Sequence, residues 1–285
     1  MTPTPVKLGT IKAKSAPNVF GDSVWFRGED DLIWHMRLDK PEAAVNPQGL
    51  KALSTPQPSD DGFVYFQGEN NTLVMMEQRF PHLHTVVDGI DCWAIPAAPN
   101  DGFVYCRTGA GKLARVSIES ASFGTVTLYD VTTAFAPAVH ITGEYAYAFF
   151  ANGSYKLQRL DLDRRGARPT DHGDFTLKDA PVMGANGRLY IVDTKHDAYE
   201  IDPVSAAAIK IAANVQSTPV TSEIVDDHNM YWRAVGDALY MAPRSDTSKT
   251  TKLGETDARP DAQGDGFVYF LGDDEYIYRV ATTAA

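Results

Sequence analysis

The chain has 285 residues, with 26 Lys and Arg against 37 Asp and Glu, for a formal net charge of -11. The basic residues are dispersed along it, which argues against nucleic acid and anionic membranes as partners, since both are held largely through clustered cations. The longest apolar run, Tyr145 to Ala151, is far too short to cross a bilayer, and residues 1 to 10 lack the apolar core of a signal peptide.

In chain order, the first segment with a counterpart elsewhere is Val6-Lys7-Leu8-Gly9, which resembles Thr251-Lys252-Leu253-Gly254. Beyond it a prolyl position recurs at Pro17, Pro56, Pro96, Pro137, Pro181, Pro219 and Pro260, about 38 to 44 residues apart. An aromatic follows each proline eight to twelve residues later, at Trp25, Tyr65, Tyr105, Tyr147, Tyr190, Tyr231 and Tyr269. Seven such units at that spacing match the length of a four-stranded propeller blade. An unbroken period leaves no room for a second domain, so residues 1–285 read as one all-β, seven-bladed β-propeller.

Within each unit the residues at the proline form the innermost strand, where a missing ladder donor is tolerated. The aromatic marks the second strand. The third covers Ile33 to Met36, Leu73 to Met76, Leu113 to Val116, Leu157 to Leu160, Ala198 to Ile201, Leu239 to Ala242 and Ile277 to Val280. Gly, Asp and Asn between the second and third strands supply the turn. A more variable fourth strand follows, for example His84 to Val87 or Gly124 to Tyr129. The last unit stops near Val280, so its fourth strand is expected from the N-terminal segment, closing the ring. Helix should be scarce.

Cys92 and Cys106 fall in one unit. Counting back across the turn at Asn100 to Gly102 pairs Cys106 with about Pro96 and leaves Cys92 several residues away, hard to bridge. Free buried thiols and a reducing compartment are expected, with the protein cytoplasmic or released without a classical signal peptide.

Unit one carries a specific resemblance. Lys7-Leu-Gly-Thr-Ile-Lys-Ala-Lys-Ser-Ala-Pro17, followed by Phe26-Arg-Gly-Glu-Asp-Asp-Leu-Ile-Trp-His35, resembles the repeat of bacterial seven-bladed propeller lectins of the fucose-binding type. Units two and seven keep only the turn, at Gln67 to Asn71 and Leu271 to Asp274, and the Trp-rich outer strand of that family is absent. The resemblance implies shallow sugar sites between neighbouring blades. A sugar needs an aromatic face and hydrogen-bonding groups, which Trp34, His35 and Arg27 supply in type. Tyr231-Trp232-Arg233 in unit six has similar composition.

Other residues suggest less. His82-x-His84 puts two imidazoles on one strand face, with no carboxylate or cysteine completing a metal set nearby. Asp226-Asp227-His228-Asn229 falls in a turn, Trp93 is expected in the core near the axis, and His140 could point into the central channel. Three functions follow as expectations: a lectin with a sugar or glycoconjugate partner and no cofactor or metal; a lyase- or hydrolase-type enzyme with one axial site; or a scaffold binding a protein on one face. Neither membrane insertion nor nucleic-acid binding is expected, and an oligomer is compatible with all three. Divergence among the units disfavours seven equivalent sugar sites.

Overall fold

The computed structural model describes residues 3–47, 49–119, 123–164, 166–221, 229–262 and 265–282, with the backbone alone at position 88. Its strands form seven antiparallel sheets, each one blade, in one ring: the protein is a seven-bladed β-propeller. Among the described residues the sole helical element is the short 3-10 turn Glu69–Asn71. Three of the expected turn positions, Asp226, Asp227 and His228, lie outside the described residues.

Blade 1 shows the plan, with strands Asn18–Phe20, Ser23–Arg27, Ile33–Arg37 and Lys40–Val45 ordered from the axis outward. The innermost strands are very short. Blades 2, 5 and 6 have only Gln57–Pro58, Val182–Met183 and Val220–Thr221, and blades 3 and 7 reduce to the single bridges Ala97 to Tyr105 and Asp261 to Tyr269. Near the axis seven chains converge, and the prolines withhold ladder donors, so little sheet can form there. The third strands contain all the residues assigned to them from sequence.

The ring closes as expected. Val6–Lys12 pairs antiparallel with Tyr276–Ala281, placing Val6 opposite Arg279 and Leu8 opposite Ile277. Leu8 is 2 % exposed and packs into the interface between blades 7 and 1.

Alternation along the second strands explains the core. Val64 and Phe66 pack toward blade 1, with Trp25 and Ile33, whereas Tyr65 points the other way, toward Val104 and Cys106 of blade 3. The same division at every interface gives seven apolar clusters, one between each pair of neighbouring blades. The recurring aromatics are therefore inter-blade anchors. In blades 2, 3 and 7 their phenols are satisfied within the preceding turn. The Asp61 carboxylate accepts the Phe63 N–H at 3.0 Å and the Tyr65 hydroxyl at 2.7 Å; Asp101 does the same for Phe103 and Tyr105, and Asp265 for Phe267 and Tyr269. The glycine after each Asp has φ between +83° and +88°, a conformation a side chain would strain.

Both cysteines are free and buried. The separation expected between them is not observed: the chain returns past the second strand, Cys92 bridges to Thr108, and the two thiols share a hydrogen bond that, with burial, raises the Cys106 thiol well above its ordinary value. Counting to the turn located the partner of Cys106 but not the linker that brings Cys92 back beside it.

Candidate functional site

Topology fixes the two faces of the ring. The linkers before each proline and the turns between second and third strands meet on one side, here the upper face; the other turns lie on the lower face. The sequence-predicted residues of blade 1 are distributed by the two-residue period of their strands. Trp34 faces blade 7. It lines a cleft of about 490 Å³ with Thr10, Ile11, Lys12, Glu29, Asp30 and Tyr276. Its indole N–H donates to the Asp30 carboxylate at 3.1 Å, and the ring lies so close over Gly28 that a Cβ there would meet it at 2.6 Å. Blade 7 repeats this arrangement, with Tyr278 lying over Gly272 and its hydroxyl donating to Asp274 at 2.8 Å.

His35 points the opposite way, stacked on the buried Trp25 at 4.3 Å with Nε2 3.0 Å from the Ser23 hydroxyl. Burial lowers its pKa. Arg27 shares that side but sits at the upper rim, donating to the Leu53 carbonyl at 3.0 Å and lying 3.8 Å from Asp31. The three do not converge on one sugar, because adjacent strand residues face opposite surfaces. In blade 6, Trp232 is 3 % exposed within the interface with blade 5, which leaves it no free face, and Arg233 is committed to Asp237 on the upper face.

The ring axis holds the site that sequence reasoning did not assemble. One axial cavity of about 510 Å³ is lined by short, small-residue inner strands and by the side chains of Asn18, Gln57, Asp60, Arg259 and Asp261. Arg259 also lines the adjoining axial cavity of about 250 Å³ and is the one cation in either lining. Among the described residues its guanidinium has no hydrogen bond or ion pair. The two carboxylates differ. Asp261 is built into the ring, accepting the Val19 N–H at 2.6 Å and the Ala262 N–H at 3.0 Å, whereas the side chain of Asp60 is exposed and without a partner among the described residues. Asn18 donates to the Pro56 carbonyl at 2.6 Å and approaches Gln57 at 3.4 Å. The cavity thus carries a free guanidinium toward its upper end and a free carboxylate toward its lower end on a rigid frame, which suits holding an oxyanion at one end and moving a proton at the other.

Above it, a mouth of about 510 Å³ shares Thr55 and Ile95 with the channel and carries Lys14, Arg27, Trp93, Arg107 and Phe135. Trp93, expected in the core, is 48 % exposed here. His140 does not line the axial cavities; it stands beside Tyr145 with ring centres 6.0 Å apart, and burial lowers its pKa. His82 and His84 are exposed, and among the described residues no group of three or more His, Cys, Asp or Glu could hold a metal. No described helix is long and apolar enough to cross a membrane. The only sequence signal for the axial site was position: Arg259 directly precedes the seventh proline, where five of the other six follow Ala or Thr.

No protein-family profile and no curated protein sequence matches the chain. Solved structures do match in fold. Virginiamycin B lyase from Staphylococcus aureus aligns with a TM-score of 0.66 and 11 % identity, over 99 % of each chain. Oligogalacturonate lyase from Vibrio parahaemolyticus aligns at 0.71 and 11 %, over 99 % of this chain and 98 % of that one. YCF48 bound to a D1 peptide aligns at 0.66 and 12 %, over 100 % and 97 %. At these identities the likeness is one of fold. It establishes the class, a seven-bladed propeller, and goes no further.

Proposed function

We propose that the protein is a propeller enzyme of lyase or hydrolase type, with a single site on the ring axis that takes a small substrate bearing a carboxylate or similar oxyanion. The observation that carries this reading is Arg259, an unpaired guanidinium inside an axial cavity of about 510 Å³ that also holds the free carboxylate of Asp60. Arg259 fixes and neutralises the anionic group of the substrate, which acidifies a neighbouring C–H or stabilises a developing oxyanion. Asp60 takes a proton as general base, either from that C–H, whose electron pair forms a double bond as the β-substituent departs and is protonated by water, or from a water that attacks and displaces the leaving group. Gln57 orients the substrate through its amide. The lyase names among the structural neighbours support the class of chemistry, and the divergence of the blades agrees with one axial site in place of seven peripheral ones.

Calorimetry with aliphatic, aryl and uronic carboxylates tests this. Binding should weaken about tenfold to a hundredfold in Arg259→Gln, as expected for a charge-assisted hydrogen bond of about 1.5–3 kcal/mol. Asp60→Asn should still bind but form no product by NMR. Binding indifferent to Arg259→Gln would overturn the axial reading.

The Trp34 cleft favours a second reading, a lectin-like sugar site between blades 7 and 1, because it joins an accessible indole to Lys12, Glu29 and Tyr276 in one groove. The same titrations with fucose, mannose and galactose separate the two. Neutral-sugar binding lost in Trp34→Ala and retained in Arg259→Gln belongs to the cleft.

A further inference from the structure

A groove of about 840 Å³ lies on neither the axis nor blade 1. It runs between the outer strands of blade 3, Lys112–Ser117 and Val126–Thr132, and the loop that follows the third strand of blade 4, Lys156–Asp161. Arg115, Arg164 and Arg168 line it, together with Leu128, Tyr129, Asp130 and Asp163. In a chain of net charge -11, three guanidiniums in one groove are a local reversal of sign.

Their bonding shows that they are available. The side chains of Arg164 and Arg168 have no hydrogen bond or ion pair among the described residues. Arg115 lies with its guanidinium 3.5 Å from the centre of the Phe103 ring, and its Nε is buried without any partner. A buried N–H without an acceptor is costly. Of the two carboxylates, Asp130 is already held by Lys112 at 2.8 Å, leaving only Asp163 to offset three arginines. The groove also offers an aromatic wall, since Tyr129 pairs with Leu113 on the side of the sheet that carries Arg115.

The repeat provides an internal control. Arg279 in blade 7 matches Arg115 in register, pairing with Tyr269 as Arg115 pairs with Tyr105. It too lies over a phenylalanine, Phe267, at 4.7 Å with an unpartnered Nε. The neighbouring blade 1, however, joins its third and fourth strands through Leu38 and Asp39 alone. No loop there brings further arginines.

We propose that the groove between blades 3 and 4 binds a monoester of a tetrahedral oxyanion, phosphate or sulfate, with Arg115, Arg164 and Arg168 on the anionic head and Tyr129 against an apolar or aromatic body. Guanidinium forks match the paired oxygens of such a head, and the unpartnered Arg115 Nε gains an acceptor when it arrives. Phosphate carries up to two charges near neutral pH and sulfate one, so the two sources are separable.

Calorimetry with phenyl phosphate, phenyl sulfate and phenol at low and moderate salt tests the site. Both esters should bind and phenol should not; phenyl phosphate above pH 7 should bind more tightly than phenyl sulfate if phosphate is the cognate head. Arg168→Ala, at an exposed position where folding is not at risk, should weaken binding about tenfold, and Arg115→Met further. Arg279→Met should leave it unchanged, as should Arg259→Gln, which separates this groove from the axial site. Absence of ester binding, equal binding of phenol, or a loss in Arg279→Met matching that in Arg115→Met would overturn the proposal.

Discussion

Blades 2 and 3 and blade 5 solve one problem in two ways. In the first pair the buried tyrosine at the interface is satisfied by the carboxylate four residues earlier, Asp61 for Tyr65 and Asp101 for Tyr105. The device lies wholly within one hairpin. In blade 5 the Tyr190 hydroxyl donates to Glu200 at 2.9 Å and accepts from Asn186 at 3.0 Å, while Glu200 is held in turn by Arg244 of blade 6 at 3.2 Å. In blade 4, Tyr147 is only half-buried, stacked on Tyr145 at 4.9 Å and covered by Arg159 at 4.5 Å. A polar group that every copy of a repeat needs can be satisfied locally or by a network across blades. Arg259, Asp60, Arg164 and Arg168 stand outside either solution, since among the described residues their side chains have no protein partner.

Blade 7 sharpens the comparison most, because it uses the local Asp265 device yet is completed by a strand from the far end of the chain. Removing residues 1 to 12 should expose the edge of Tyr276–Ala281 and the apolar surface under Leu8. The loss of Leu8 alone is worth about 3 kcal/mol by comparison with core truncations, and the bare edge invites association. A thermal melt of the truncated protein should therefore fall well below wild type and depend on concentration. An unchanged melt would mean that local satisfaction suffices to hold the last blade.

The next effect separates the two solutions directly. Asp101→Ala strands the buried Tyr105 hydroxyl and removes the acceptor of the Phe103 N–H, so it should cost about 1–3 kcal/mol in chemical denaturation. Asn186→Ala leaves Tyr190 its bond to Glu200 and should cost less than about 1 kcal/mol. In the double variant Asp101→Ala with Tyr105→Phe, most of the Asp101 penalty should disappear. Equal losses at the two blades would show that the local and cross-blade arrangements are not distinct.

The ring was readable because its period is carried by residue types with a local backbone meaning. Proline marks the start of each inner strand, Gly, Asp and Asn supply the turn between second and third strands, and one aromatic per unit fills each interface. The candidate sites were legible only in part. That Trp34 and His35 face opposite surfaces follows from strand alternation alone, so their separation could have been read from the sequence. That Asp60 from blade 2 and Arg259 from blade 7 line one axial cavity could not, because the positions lie 199 residues apart in number and share a cavity only through ring closure. Trp93 shows a finer limit. Its place three residues before the proline puts it at the upper mouth, but exposure there depends on neighbouring linkers ending in residues as small as Ala134.

The smallest effect concerns a blade that has no phenol to satisfy. Blade 1 has Trp25 where the others have a phenol, and it stacks His35 on that ring. Burial lowers the pKa of His35, with Asp22 working against the shift and Arg37 adding to it; burial likewise lowers His140 and His172. A histidine whose folded pKa is depressed takes up its proton more readily when unfolded. Its stabilising contribution is complete above the unfolded value of about 6.5 and is lost as pH falls through the folded value. Stability should therefore decline from pH 7 toward pH 5, while Asp202, held at about 2 by the N–H of Ser205 and further bonds, contributes nothing in that window and acts only in stronger acid. His35→Gln should flatten the decline without abolishing it, since His140 and His172 remain. The difference in slope should stay well under the roughly 1.4 kcal/mol per pH unit that one fully withheld proton would give, because the ring is only partly enclosed. If wild type and His35→Gln lose stability in parallel between pH 7 and 5, the stack on Trp25 excludes no proton, and the interface at Trp25 rests on packing alone.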